Sequence, residues 1–168
     1  RFLSERFAAE CAAEFAGRGF ESYLTTRETP TPALSYAIRA KDARGGINFT
    51  ASHNPPHYNG MKFSTADGAP ALPEVTKKIE GRIAEFQSGG IGKPERKVPA
   101  EALLFDPRED YLNDLGARVD FEKVASANLK LAYDPLWGAG RCYLDQVLRP
   151  HGCGFCAVHH YRHVLLGG

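Results

Sequence analysis

The stretch Thr50-Ala51-Ser52-His53-Asn54-Pro55-Pro56-His57-Tyr58-Asn59-Gly60-Met61-Lys62 constrains the fold more than any other. Pro55 and Pro56 lack N–H donors and fix φ near −65°, so the segment is neither helix interior nor sheet ladder. Asn59-Gly60 is the signature of a left-handed turn that brings the chain back. The flanking runs, Gly45–Phe49 and Met61–Ser64, read as short strands. The chain therefore spends a rigid, polar loop on joining two sheet elements.

The rest of the chain alternates helix and strand patterns. Leu3, Phe7, Cys11 and Phe15 recur every four residues, predicting a helix over 3–16 with Ser4 as its cap. Phe20–Thr25 reads as a strand. Thr31 is placed to cap, and Pro32 to open, a helix reaching Lys41. A helix over Pro73–Gln87 has a buried stripe of Val75, Ile79, Ile83 and Phe86, and residues 88–98, rich in Gly and charge, read as a surface connection. Asp106-Pro107 starts a further helix with an apolar face of Tyr111, Leu112, Leu115 and Val119. Leu129–Tyr133, the turn Asp134-Pro135-Leu136-Trp137-Gly138-Ala139-Gly140, a helix over Arg141–Leu148 and a strand over Phe155–His159 complete a β-loop-α-β order, the grammar of a parallel sheet. Two α/β units follow, one over 1–105 and one beginning over 106–168. The chain starts at Arg1 already close to a helical pattern, so it is expected to be a piece of a longer protein.

Composition narrows the function classes. Apolar residues are 43%, charged residues 24%, and the net charge is +1 with Lys and Arg dispersed among carboxylates. This is a globular composition without the basic face of a nucleic-acid binder. No apolar run nears the roughly 20 residues that cross a bilayer, and no signal-peptide series opens the chain. A cytoplasmic protein without nucleic-acid or membrane partners is expected.

Four cysteines are too few for a disulfide scaffold. Cys11 and Cys142 fall in predicted helices and read as buried thiols. Cys153-Gly154-Phe155-Cys156, followed by His159, His160 and His163, has the spacing of a redox dithiol or half a zinc site. A redox pair wants its first thiol at a helix N-terminus, and this one stands at the entrance of a strand, so the structural reading is the stronger.

In the central loop, Ser52 is the nucleophile candidate. A serine hydroxyl is inert near neutral pH without a base, a metal or a modification; His53 beside it exchanges protons near pH 7, and Lys62 supplies a cation at the far rim. Stiffness suits phosphoryl transfer, which gains most from positioning and fixed charge. Taken alone, proline and Asn-Gly equally suit a plain turn. Asp134 before Pro135 reads as a turn residue and Trp137 as a packed one, while Gly138 and Gly140 are weak evidence for an anion cradle.

The whole string Thr50-Ala51-Ser52-His53-Asn54-Pro55, with Asn59-Gly60 and Lys62 at their offsets, closely resembles the active-site loop of the α-D-phosphohexomutases, the family of phosphoglucomutase and phosphomannomutase. Thr29-Pro30-Thr31-Pro32-Ala33-Leu34 resembles a segment upstream of that loop. Asp134–Gly140 is similar to the first strand-to-helix turn of the family's second domain.

The resemblance implies a three-layer αβα mixed sheet of domain I, followed by the start of a second, similar αβα domain. It implies that Ser52 is carried as a phosphoserine, that His53 and Lys62 handle the proton of the sugar hydroxyl, and that Asn54 and Lys62 touch the substrate. The substrate would be a small sugar phosphate, isomerised between its 1- and 6-phosphates, with a hexose 1,6-bisphosphate as activator. The expected cofactor is Mg²⁺, held in these residues through the phosphate on Ser52.

The family's Asp-Gly-Asp-x-Asp-Arg metal loop does not occur in the 168 residues, nor do its sugar- and phosphate-gripping loops. Two readings stay open here: the phosphoserine-bearing part of a mutase, and a remnant that keeps the fold as an inactive or binding domain.

Overall fold

The computed structural model describes residues 2–92 and 101–167. Helix α1 (Ser4–Ala16) leads to strand β1 (Tyr23–Thr25), helix α2 (Thr31–Ala40) and strand β2 (Gly45–Phe49). The 50–60 loop returns as β3 (Met61–Thr65), followed by α3 (Pro73–Gln87), β4 (Leu103–Phe105) and α4 (Arg108–Arg118). A short α5 (Phe121–Ser126), β5 (Lys130–Tyr133), α6 (Leu144–Leu148), a 3₁₀ turn (Arg149–His151) and β6 (Gly154–Ala157) complete it. This is a mixed α/β fold: β1 and β4 pair parallel, β2 and β3 antiparallel, and β5 and β6 parallel, as three two-stranded ladders.

Small residues set the tightest packing. Ala33 and Ala37 of α2, with Ile38, are buried, and a Cβ on Gly46 would meet Ile38 Cδ1 at 2.6 Å, so β2 lies close against α2. Farther along, Phe121, Tyr143 and Leu148 are buried. Tyr111 bridges the two regions, its ring 5.8 Å from that of Tyr36 and 6.1 Å from that of Tyr143.

Several helices form as their periodicity predicts while covering different faces. The α1 stripe is not its core: Ala12 and Ala16 are buried, whereas Leu3, Phe7 and Phe15 remain exposed. Phe7 reaches Phe49 and Phe15 reaches Phe20 by ring contacts at 6.1 and 5.7 Å. The α3 limits match expectation, yet none of its residues is buried, and Ile83 and Phe86 are exposed. Nor does α4 bury its predicted face. The surface connection expected over 88–98 lies outside the described residues from residue 93.

Capping also differs. Ser4 is the first helical residue and makes no cap; its Oγ accepts from Asn59 Nδ2 at 3.0 Å. Thr31 lies within α2, and its Oγ1 accepts from Asn48 Nδ2 at 3.1 Å. Both hydroxyls are used for long-range ties, which local patterns do not show. Asp106 accepts from Arg108 N at 3.0 Å, just ahead of α4. The predicted helix over 141–148 begins only at Leu144, because Cys142 adopts φ 61°, which a helix does not accommodate; Cys142 is thus not helical.

Candidate active site

The 50–60 loop is closed at its base by Thr50 N donating to Gly60 O at 2.9 Å. Within it, Asn54 N donates to Ala51 O and Tyr58 N to Pro55 O, each at 3.0 Å, forming two successive turns around the prolines. The side chains of His57 and Tyr58 lie against each other, with ring centroids 4.6 Å apart. Asn59 stakes the loop to the start of α1: its Nδ2 donates to Phe2 O at 3.1 Å and to Ser4 Oγ at 3.0 Å, while its Oδ1 accepts from Gly60 N. Sequence reasoning gave Asn59 a turn role only.

The left-handed residue is Ser52, at φ 55°, and neither Asn59 nor Gly60 has positive φ. The expected Asn-Gly left-handed turn is therefore absent. Gly60 is needed for closeness instead, since a Cβ there would meet Thr50 O at 3.0 Å. Ser52 holds a conformation that costs a non-glycine residue about 1–2 kcal/mol. Its own N–H is tied to Thr50 Oγ1 at 3.1 Å. Outliers of this kind cluster at functional positions, where the surroundings over-determine them.

Ser52 Oγ is exposed, 3.4 Å from His53 Nδ1. Asn54 is exposed one residue further on. Lys62 is exposed on β3, in register with Asn48 of β2. Ser52 borders a cleft of about 1220 Å³ that runs between β1, β2 and the 137–141 turn. His53, Asn54 and Lys62 are not among the described residues that line it.

On the opposite wall, Arg141 is nearly buried, contacts Glu28 and donates to the carbonyls of Trp137 and Gly138. Burial pushes its guanidinium below its usual range, and the charge of Arg162 adds to that. Arg162 in turn pairs with Glu5 of α1. These ties connect residues far apart in sequence, so no local signal marks them.

Asp134 is a turn residue, as expected, with Leu136 N donating to its Oδ1 at 2.8 Å. Its other oxygen lies 2.8 Å from His159 Nδ1, and that hydrogen bond holds the carboxyl below its ordinary value. The Trp137 ring packs on His159 with centroids 3.9 Å apart. Gly138 and Gly140 do not open a helix; Gly140 O accepts from Tyr133 Oη at 2.7 Å, and α6 starts at Leu144.

Cys153 precedes β6 and Cys156 lies within it, so neither is at a helix N-terminus. Among the described residues no group of three or more His, Cys, Asp or Glu is placed to hold a metal ion. The donor set present therefore does not fit Mg²⁺ by itself.

Residues 1–89 match the family model of phosphoglucomutase/phosphomannomutase, alpha/beta/alpha domain I. The chain belongs to this family. Over its whole length it superposes on a Thermus thermophilus protein described as a phosphomannomutase, with a TM-score of 0.84, 35% identity and coverage of 37% of that chain. It is 31% identical over 153 residues to a Komagataeibacter xylinus phosphoglucomutase, covering 82% of this chain and 27% of the relative. A Picosynechococcus phosphoglucosamine mutase is 29% identical over 160 residues, covering 95% and 33%. The chain thus spans about a third of the length of these relatives. Their names are those of mutases, so it is a member of an enzyme family. No helix among the described residues is long and apolar enough to cross a membrane.

Proposed function

We propose that this chain is the phosphoserine-bearing part of a phosphohexomutase and that Ser52 carries the transferred phosphate. The observation behind this reading is the exposed Ser52 hydroxyl, held left-handed on a closed loop at the border of the cleft. In the forward step a sugar hydroxyl oxygen forms a bond to phosphorus as the bond from Ser52 Oγ breaks. The hydroxyl proton passes to a base, for which His53 and Lys62 are the candidates. The resulting hexose 1,6-bisphosphate returns its other phosphate to Ser52 Oγ, which exchanges the 1- and 6-positions. Asn54 and Lys62 contact the sugar phosphate. Mg²⁺, when bound, would supply charge neutralisation at the phosphate.

Residues 1–168 alone turn over little substrate in this reading. The grip on the far end of the sugar is missing, and with it much of an orientation effect worth up to about 7–11 kcal/mol. A cytoplasmic setting belongs to the same reading.

The test is intact-mass measurement after incubation with glucose 1,6-bisphosphate and Mg²⁺. One added phosphate, mapped to Ser52 and absent in Ser52→Ala, is the expected result. No uptake, or uptake that survives Ser52→Ala, refutes it.

A further inference from the structure

Ser52 stands where a turn favours glycine. Asn54 N donates to Ala51 O at 3.0 Å, so residues 51–54 form a turn with Ser52 and His53 at its centre. Ser52 has φ 55°, and His53 is not among the residues of positive φ. Positive φ at the first central position alone belongs to a II′ turn, in which that position is dominated by glycine. A serine persists there when its surroundings fix it from outside the turn.

The turn hangs from Thr50. Its Oγ1 accepts from Ser52 N at 3.1 Å, the two-residue reach of a Ser/Thr turn. Thr50 is itself anchored, because its N–H donates to Gly60 O at 2.9 Å. It also directly follows β2, where Asn48 Nδ2 donates to Thr31 Oγ1 at 3.1 Å and ties the strand to α2. A β-branched side chain has few rotamers open to it, so the Oγ1 acceptor keeps a fixed place relative to the strand. On the far side of the tie, Ser52 Oγ lies 3.4 Å from His53 Nδ1. The Thr50 hydroxyl thus sets the backbone angle from which the Ser52 hydroxyl is presented. A hydrogen bond of ordinary size matches the left-handed cost that it offsets.

We propose that Thr50 is a positioning residue for phosphoryl transfer at Ser52, acting through the Ser52 N–H. The inference rests on the reading of Ser52 as the phosphate carrier. In the step it governs, a bond forms from Ser52 Oγ to a phosphorus of a hexose 1,6-bisphosphate. The bond from that phosphorus to the sugar oxygen breaks, and the serine proton ends on the departing oxygen. Thr50 exchanges no proton and touches no reacting atom. By confining Ser52 to one backbone conformation it raises the rate of the step and leaves the grip on the sugar as it was.

The test compares wild type with Thr50→Val, which keeps the branched shape and removes the acceptor, and with Thr50→Ser, which keeps the acceptor. Phosphate uptake at Ser52 from glucose 1,6-bisphosphate and Mg²⁺ is timed by intact mass over a range of bisphosphate concentrations. The loss of one ordinary hydrogen bond converts to a maximal rate about five- to tenfold lower in Thr50→Val, with the half-saturating concentration unchanged. Thr50→Ser should recover most of that loss. In ¹⁵N-labelled chain, amide exchange at Ser52 should quicken about five- to tenfold in Thr50→Val. The strong intraresidue HN–Hα contact of a positive φ should weaken there, and Thr50→Ser should restore both signals. Equal maximal rates in Thr50→Val and wild type overturn the proposal, as does Thr50→Ser being as slow as Thr50→Val. Wild type that takes up no phosphate refutes the phosphoserine reading instead. The tie is then judged on the Ser52 signals alone, and if they are unchanged in Thr50→Val it falls too.

Discussion

Replacing Gly68 by alanine tests how the β2–β3 hairpin is seated on α2. Gly68 has φ +80°, and its N–H donates to Thr65 O at 2.8 Å to close the turn leaving β3. A Cβ there would stand 2.5 Å from Ser35 O and 3.2 Å from Ser35 C and Cα, all backbone atoms within α2. Gly19 provides the control: it has φ +84° and nothing within 4 Å of an added Cβ. Both alanines incur the left-handed cost of about 1–2 kcal/mol. Only Gly68→Ala must also push a helix backbone aside, an overpacking cost of about 1–3 kcal/mol. The sum is about 2–5 kcal/mol for Gly68→Ala against about 1–2 kcal/mol for Gly19→Ala. With a urea slope of about 2 kcal/mol/M, the midpoint should fall by about 1–2.5 M in the first variant and about 0.5–1 M in the second. Equal losses in the two variants would show that the hairpin does not bear on α2 at Ser35.

Other outcomes follow from single contacts. Asn59→Ala removes two donations to the start of α1, and at about 1 kcal/mol for each hydrogen bond it should lower stability by about 1–2 kcal/mol while protease cleavage within 50–60 quickens; unchanged cleavage would deny the anchor. Asp134, held below its ordinary value by His159, stabilises the fold above the unfolded pKa of about 3.9 and loses that contribution as pH falls through the lower folded value. The stability gap between wild type and Asp134→Asn should therefore be flat near neutrality and close in acid, with Trp137 emission, from the one tryptophan of the chain, as the readout. Burial, aided by the charge of Glu14, raises the Cys11 thiol, so at pH 8 it should alkylate more slowly than the exposed Cys156 when each is the sole cysteine. Cys153→Ser should leave insulin reduction at the background shown by wild type; a loss of activity would revive the dithiol reading.

What was legible in the sequence was whatever depends on neighbours along the chain. Pro73 and the spacing of Val75, Ile79, Ile83 and Phe86 gave α3 its limits, since helix formation needs only local hydrogen bonds and a start signal. The Ser-His-Asn-Pro string located the loop because its chemistry is contiguous. The short elements β4 and α5 escaped notice: three apolar residues, Leu103–Phe105, carry no measurable period, and β4 exists through its pairing with Tyr23–Thr25. Burial escaped for a related reason. The stripe Leu3, Phe7, Cys11 and Phe15 correctly predicts a helix, but which face is covered depends on what packs against it, and here Ala12 and Ala16 meet the core. The same holds at the loop. Asn59-Gly60 carries a left-handed signal, yet Thr50 closes on Gly60, Asn59 is tied to the start of α1, neither Asn59 nor Gly60 has positive φ, and Ser52 holds the left-handed conformation instead. A turn dipeptide states a preference worth about 1 kcal/mol, which two or three tertiary hydrogen bonds of similar size are enough to overrule. The residue left holding the strained backbone is the one whose hydroxyl borders the cleft.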